Sequence, residues 1–124
     1  MSLLLRRWVR GTRPVERQLQ DLENLLGRTP VFYAVRAVTT ATTVIDSDGL
    51  ILVDATGGGV TVTLPPVVGV AGRRFTLKKT DASGNAATFD GDGTETIDGA
   101  TTKSTTTRYA TITVQSDGVV WWSI

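Results

Sequence analysis

The residues best suited to chemistry are the acidic side chains of a short segment that begins at Asp90. The run Asp90-Gly-Asp92-Gly-Thr94-Glu95 places oxygen-bearing side chains on alternate residues, as the start of a calcium-binding loop does. It departs from the EF-hand pattern, which needs Gly at the sixth position, where Glu95 stands, and Glu at the twelfth, where Thr101 stands. We therefore predict a hydrated β-turn and no metal site here.

The acids of this region also include the pair of carboxylates that glycoside hydrolysis requires. The candidates are Asp81, Asp90, Asp92, Glu95 and Asp98. Carboxylates on the loops of a domain rich in Thr and Gly are usually solvated, and no cluster of aromatic residues flanks these to form a sugar cleft. We predict that the protein is not an enzyme.

The composition excludes several further kinds of site. The chain contains neither Cys nor His, which removes disulfides, thiolate nucleophiles, imidazole bases and the usual zinc ligands together. The glycines at 57–59 do not form a phosphate loop, because no Gly-Lys-Ser/Thr follows them and no helix begins there. We predict no cofactor.

The charge is distributed unevenly along the 124 residues. Residues 1–40 contain seven Arg and three acids, a net charge of +4, whereas residues 41–124 contain six Lys or Arg and nine acids, a net charge of −3. This asymmetry indicates two ends with different partners, or an arginine-rich helix that is simply solvated. Nucleic acid is not an expected partner of the acidic part, although phosphate contacts by the N-terminal arginines stay open. No segment has the ~20 apolar residues of a membrane span, so no membrane is expected.

The clearest secondary-structure signal is a pair of strands between Val60 and Asn85. The segment Val60–Leu64 alternates apolar residues with Thr, and the two prolines that follow must end that strand because neither can donate to a ladder. The second strand is Arg73–Thr80, with Phe75 and Leu77 facing inward. Its outward residues are Thr76 and Lys78, and the turn residues at 81–85 then reverse the chain.

Further strands of this kind predict a mainly β domain. The predicted strands are Thr43–Asp46, Leu50–Asp54, Val60–Leu64, Arg73–Thr80, Ala86–Asp90, a short one near Thr94–Ile97, Thr101–Thr105, Arg108–Gln115 and Val119–Ile124. Ser47-Asp48-Gly49 and Ser116-Asp117-Gly118 are turns of the hairpin type. Strands of this length and spacing predict a small antiparallel β-sandwich or a barrel-like knob over residues 42–124.

Two adjacent tryptophans lie in the last predicted strand. Because successive side chains of a strand point to opposite faces, Trp121 and Trp122 must face opposite ways. One of them fills the core, which leaves the other for a subunit interface or a ligand.

Residues 1–41 predict a basic anchor, a short α-helix and an extended linker. Pro14 suits the first turn of a helix, and Gly27 with Pro30 ends it. Its apolar residues form a seam of about two heptads, namely Val15, Leu19, Leu22 and Leu26. Three interpretations stay open: a stripe packed on the β domain, a short coiled coil with other copies, and a helix laid in a groove of another protein.

The two segments that flank this helix are unusually apolar. The linker at 28–41 contains Phe32 and Tyr33, which together with the heptad seam we assign to an oligomer interface. The first residues lack the order of a secretory signal, because their arginines follow the apolar run, so we expect them in the mature protein. We assign attachment to this end, through Leu3, Leu4, Leu5, Arg6, Arg7, Trp8 and Arg10.

Four stretches carry a resemblance to a known family. They are TLPP, the segment GRRFTLKKTDASGN, the segment TFDGDGTETIDGATT and the final ITVQSDGVVWWSI. In this order they resemble the small β-rich C-terminal domain of tailed-phage fibre and virion surface proteins, over roughly Thr42 to Ile124.

The resemblance implies a structural role at the surface of a phage particle. It implies a short homotrimeric fibre or capsid decoration spike. The N-terminal segment lies outside the resemblance, and its basic and apolar residues lead us to expect that it anchors the protein to capsid or tail proteins, with the knob facing outward. Two alternatives stay open: a receptor-binding tail-fibre tip that contacts host glycan, and a free carbohydrate-binding module. The expected location is the virion.

Overall fold

A computed structural model describes residues 32–124 of the chain. Residues Tyr33–Ile124 form one compact unit, which we call the β unit. It contains nine strands and no helix among the described residues. The strands are β1 (Ala34–Val38), β2 (Thr42–Thr43), β3 (Asp48–Val53), β4 (Val60–Thr63), β5 (Arg74–Lys79), β6 (Ala87–Asp90), β7 (Thr102–Thr105), β8 (Thr111–Ser116) and β9 (Trp121–Ser123).

The strands form two sheets, and the chain alternates between them. The five-stranded sheet has the order β1-β3-β5-β8-β9, and the four-stranded sheet has the order β2-β4-β6-β7. In the first six strands each pass of the chain adds one strand to one sheet and the next strand to the other. The fold is therefore mainly β, as the sequence predicts, and it consists of two open sheets.

The prediction of an antiparallel β-sandwich or a barrel-like knob is wrong in part, because both sheets are mixed and neither is closed. Strands β1, β3 and β5 pair in parallel, and so do β2, β4 and β6. Among the strands of residues 32–124, only the pairs β5 with β8, β6 with β7 and β8 with β9 are antiparallel. The reason is connectivity: a chain that crosses to the other sheet before it returns comes back in the same direction, whereas a hairpin reverses it.

The inward-facing residues of both sheets form a single core. Period-2 alternation buries Ile51 and Val53 from β3 and Phe75 and Leu77 from β5, as the sequence predicts for β5. The four-stranded sheet adds Val60, Val62, Ala87 and Phe89, and β9 adds Trp121. Burial of this apolar surface is the main favourable term in folding.

The first strand lies where the sequence predicted an extended linker. Ala34–Val38 is β1, hydrogen-bonded in parallel to β3, and the β unit begins at Tyr33 instead of residue 42. Gly49 permits this approach, because a Cβ there would lie 2.7 Å from the Cβ of Tyr33. Only an extended conformation was visible in the sequence, since the pairing partner is 14 or more residues away.

The two predicted hairpin turns have different outcomes. The turn at Ser116–Gly118 joins the antiparallel strands β8 and β9 and is confirmed. The predicted hairpin at 47–49 is wrong: the chain turns at 46–47 between β2 of one sheet and β3 of the other, and Asp48 already belongs to β3. The predicted strand at 94–97 is reduced to two isolated bridges of Ile97.

The predicted helix and anchor lie outside the described residues. These are the anchor residues Leu3, Leu4, Leu5, Arg6, Arg7, Trp8 and Arg10, and the seam residues Val15, Leu19, Leu22 and Leu26. Of the assigned interface residues, Phe32 and Tyr33 are described, and both are exposed. Within residues 32–124 no helix is long and apolar enough to cross a membrane.

Candidate functional site

The acidic loop after β6 is braced by its own hydrogen bonds. The backbone N–H of Glu95 donates to the Asp92 carbonyl at 2.9 Å, and Glu95 Oε1 accepts the backbone N–H of Val67 at 2.9 Å. Gly91 is required here, because a Cβ would lie 2.3 Å from the Glu95 carbonyl oxygen. Glu95 thus fastens the loop to the segment after β4, and residues 32–124 contain no group of three or more acids that could hold a metal ion.

Most acidic side chains of the β unit act in the same way. Six of the nine accept a hydrogen bond from at least one backbone N–H. They are Asp48, Asp54, Asp81, Glu95, Asp98 and Asp117. Bonds from backbone N–H groups to a carboxylate are charge-assisted and satisfy loop donors that would otherwise be unpaired. The five candidate carboxylates of the sequence analysis include three members of this set, and no site brings the five together.

Asp81 is the centre of the most extensive of these networks. Its carboxylate accepts bonds from Lys79 Nζ at 2.8 Å, the Ala55 backbone N–H at 2.8 Å, and the backbone and hydroxyl of Ser83. Burial alone would raise the pKa of Asp81, but the bonds from Lys79, Ser83 and Ala55 outweigh it and hold the pKa below its ordinary value. Asn85 extends the network by donating to the Ala55 carbonyl at 2.8 Å.

Lys79 is a buried charged residue of the kind found at functional sites, and its burial was not predicted from the sequence. Its side chain is completely buried, and Nζ donates to the Asp81 carboxylate and to the carbonyls of Asp81 and Ser83. All three ammonium donors are therefore satisfied, so the group stabilises the turn after β5. Position 79 alternates with the same period as the inward-facing apolar positions 75 and 77 of this strand. That spacing was the sequence signal for the burial of Lys79.

A second ion pair joins β1 to the first residue of β3. Arg36 donates to both oxygens of Asp48, at 3.0 and 2.7 Å, and also to Thr42 Oγ1 and the Thr43 carbonyl. Burial works to raise the pKa of Asp48, but bonds from Arg36 and the Ile45 backbone lower it overall. A bidentate pair of this kind fixes geometry as well as charge.

A groove of about 580 Å³ lies beside the start of β5. It is lined by Tyr33, Asp46, Gly69, Val70, Ala71, Gly72, Arg73 and Phe75. The Arg73 guanidinium lies 3.7 Å from the Tyr33 ring centroid and 4.1 Å from that of Phe75. It also donates to the carbonyls of Asp46 and Asp48. The Arg73 guanidinium therefore stabilises the turn between β2 and β3.

The outer faces of the two sheets differ in chemistry. The outward residues of the four-stranded sheet are all Thr, Ser or Asp. They are Thr43, Thr61, Thr63, Thr88, Asp90, Thr102 and Ser104. The outward residues of the five-stranded sheet are apolar, basic, amide or aromatic as well as Thr. They are Val35, Ala37, Leu50, Leu52, Arg74, Thr76, Lys78, Thr111, Thr113, Gln115 and Trp122.

The two tryptophans lie on opposite faces, which confirms the prediction. Trp121 is completely buried, with its ring 5.9 Å from that of Phe75, whereas Trp122 is 50% exposed on the outer face. The indole N–H of Trp122 donates to Asp117 Oδ2 at 2.8 Å. This bond, together with the backbone N–H groups of Val120 and Val119, lowers the pKa of Asp117.

Comparison with known proteins adds no relative: no family model matches the chain, and no curated protein matches it.

Proposed function

We propose that the protein is a structural, non-enzymatic surface protein of a tailed bacteriophage, a short trimeric fibre or decoration spike. Its N-terminal segment anchors it to capsid or tail proteins, and the β unit is the outward knob of a sandwich-like fold. The observation that carries the structural role is the use of acids as braces: six of nine accept backbone N–H groups.

The stretches that carry the resemblance support the same role. The segment at 72–85 contains central strand β5 and the Lys79–Asp81 network, and the segment at 88–102 contains the braced acidic loop. The final segment is the β8–β9 hairpin with its Asp117 turn. These residues build the fold, so the resemblance concerns a scaffold.

We place the trimer contact on the outer face of strands β1 and β3, at one side of the five-stranded sheet. Strand β3 reads Leu50-Ile51-Leu52-Val53, apolar on both faces, as in parallel strands that are covered on both sides. In β1 its outward neighbours are Val35, 64% exposed, and Ala37. Covering these side chains with other copies would remove apolar area from water.

The oligomer is tested by the mass of the full chain in solution. Light scattering at micromolar concentration should give three times the chain mass. Leu50→Glu should lower that mass, because it places a charge in the contact. Its matched control, Thr88→Glu on the outer face of the four-stranded sheet, should leave the mass unchanged. A monomeric wild-type chain, or equal effects of both substitutions, would contradict the trimer contact.

Attachment is tested on particles that lack the protein. A chain that starts at Pro14 should keep its β-sheet circular dichroism but fail to decorate them, because it lacks the basic and apolar anchor. Equal decoration by the shortened and full chains would place attachment elsewhere.

A second candidate function is a tail-fibre tip that contacts host glycan, with a free carbohydrate-binding module as the related alternative. The observation that favours it is the exposed, hydrogen-bonded Trp122 ring. Imaging of labelled protein on the intact particle separates a capsid or tail-shaft spike from a fibre tip.

A further inference from the structure

Three planar side chains form a row at one end of the outer face of the five-stranded sheet. Arg74 of β5 is directly opposite Gln115 of β8, and Gln115 is directly opposite Trp122 of β9. Opposite residues on one face of antiparallel strands lie close enough for their side chains to act together. The row therefore presents a guanidinium, a carboxamide and an indole along two strand spacings, about 10 Å.

The indole of this row is held in a fixed orientation. Asp117 Oδ2 accepts its N–H at 2.8 Å, while Asp117 Oδ1 accepts the backbone N–H groups of Val119 and Val120, each at 2.8 Å. The core does not require this ring, because Trp121 already fills the inward position of β9. An exposed ring that is ordered before a ligand arrives loses little entropy on binding.

The other two side chains supply complementary polar groups. Gln115 Nε2 donates to the Gly72 carbonyl at 3.1 Å, which leaves the amide oxygen as an acceptor on the surface. Arg74 is exposed and forms no salt bridge with the described acids. None of the outward residues within the five strands is acidic, so no described strand residue on this face competes for the guanidinium.

We propose that this row binds an acidic saccharide, a sugar chain that bears a carboxylate. The apolar C–H face of a pyranose ring lies on the electron-rich face of the Trp122 indole. A ring hydroxyl donates to the Gln115 amide oxygen, and the sugar carboxylate accepts two N–H bonds from Arg74. Asp117 is a positioning residue, because it acts through the indole that it orients.

The charge of the β unit favours this ligand over nucleic acid. Residues 33–124 contain seven Lys or Arg and nine acids, a net charge of −2. A polymer with a phosphate on every unit is repelled by such a surface and needs many cations. A saccharide with one carboxylate needs the single guanidinium at the end of the row.

This site deepens the second candidate function, glycan contact, and is independent of the trimer and of the virion location. Binding is measured by calorimetry on the full chain with two probes, a galactose trimer whose terminal unit is oxidised to galacturonic acid, so that it has one carboxylate, and a neutral galactose trimer. The acidic probe should bind at least about tenfold more tightly than the neutral one, since bonds to a charged group are the stronger kind.

Two variants test the roles of Arg74 and Trp122 separately. Arg74→Gln should weaken the acidic probe about tenfold and leave the neutral probe unchanged, whereas Trp122→Ala should weaken both about tenfold. The matched controls are Lys78→Gln, on another row of the same face, and Tyr109→Ala, an exposed aromatic residue beside Lys78 and Arg108. Both controls should bind like the wild type, and all four variants should keep the wild-type circular dichroism.

Several results would overturn the site. They are no binding of either probe at 10 mM (roughly the weakest affinity that a specific site of this size would show), equal affinity for both probes, and equal loss in the controls. A fall in oligomer mass with Trp122→Ala would assign the ring to a subunit contact instead. None of these results would alter the mass of the wild-type chain or its attachment to particles, which test the structural role separately.

Discussion

The two sheets of the β unit are alike on their inner faces and different on their outer faces. Inside, both contribute apolar residues of the same alternating pattern to one core. Outside, the four-stranded sheet presents only Thr, Ser and Asp, whereas the five-stranded sheet presents aliphatic, aromatic and basic side chains. Water alone can satisfy the hydrogen-bonding groups on the outer face of the four-stranded sheet. The outer face of the five-stranded sheet exposes apolar and aromatic side chains, so we propose that this sheet, and not the four-stranded one, is the side that contacts a partner.

The largest losses of stability should come from substitutions in the core, where the inner faces of the two sheets are alike. Phe75→Ala in the five-stranded sheet and Phe89→Ala in the four-stranded sheet should each lower the free energy of unfolding by about 3–5 kcal/mol, because both rings are buried in the shared core. Urea unfolding measures this. A loss below about 1 kcal/mol for either substitution would mean that its sheet does not share the core.

The two inward-facing lysines sharpen the comparison. Lys79 of β5 is completely buried, whereas the side chain of Lys103 in edge strand β7 is 42% exposed and lies 3.4 Å from Asp98. Lys79→Met should cost about 3–5 kcal/mol, because it leaves the Asp81 carboxylate buried without its partner. Lys103→Met should cost less than about 1 kcal/mol, since the exposed pair is screened by solvent. Equal costs by urea unfolding would contradict the assigned difference in burial.

Acid should lower the stability of the β unit by weakening the hydrogen bonds of its aspartates. The pKa values of Asp48, Asp54, Asp81, Asp98 and Asp117 are all lowered. Groups with lowered pKa stabilise the fold fully above the unfolded value of about 3.9 and lose that effect as the pH falls through their folded values. The melting temperature should thus be flat from pH 7 to about 5 and fall below about 4.

Substitution of Asp81 tests how much this residue contributes to the pH dependence of stability. Asp81→Asn should be less stable at neutral pH and lose less stability on acidification, whereas Asp46→Asn, whose side chain accepts no hydrogen bond from a described residue, should keep the wild-type profile. Melting that is independent of pH down to 2 would contradict the role of the aspartates.

The smallest effects should come from the outer faces themselves. Thr88→Val on the four-stranded sheet should change stability by no more than about 0.5 kcal/mol, because the half-buried Thr88 side chain forms no hydrogen bond with a described residue. Leu52→Thr on the five-stranded sheet should cost about 1 kcal/mol, since the half-buried leucine loses part of its apolar burial. Thermal unfolding of both variants checks the order, and a reversed order would remove the distinction between the faces.

The local pattern of the sequence determined the inner faces. Alternation in β4 and β5, the prolines after β4, and the Asp117 turn all depend on neighbours a few residues apart, and each prediction from them is confirmed. The same parity rule separated Trp121 from Trp122. The predicted hydrated turn at Asp90 is a loop that Glu95 fastens to Val67, a contact across 28 residues that no local pattern contains.

Only the tertiary structure decided the direction and neighbours of the strands. Parallel and antiparallel strands have the same period-2 alternation, so the sequence could not show that the chain crosses between sheets and that 34–38 is a strand. Burial of a charge is decided in the same way: Lys79 and Asp81 are two residues apart, yet their pairing is stable because Ala55 and Ser83 complete the network. The sequence by itself determined which side chains share a face, because that depends on backbone geometry alone. What each face contacts was decided by contacts between residues distant in the chain.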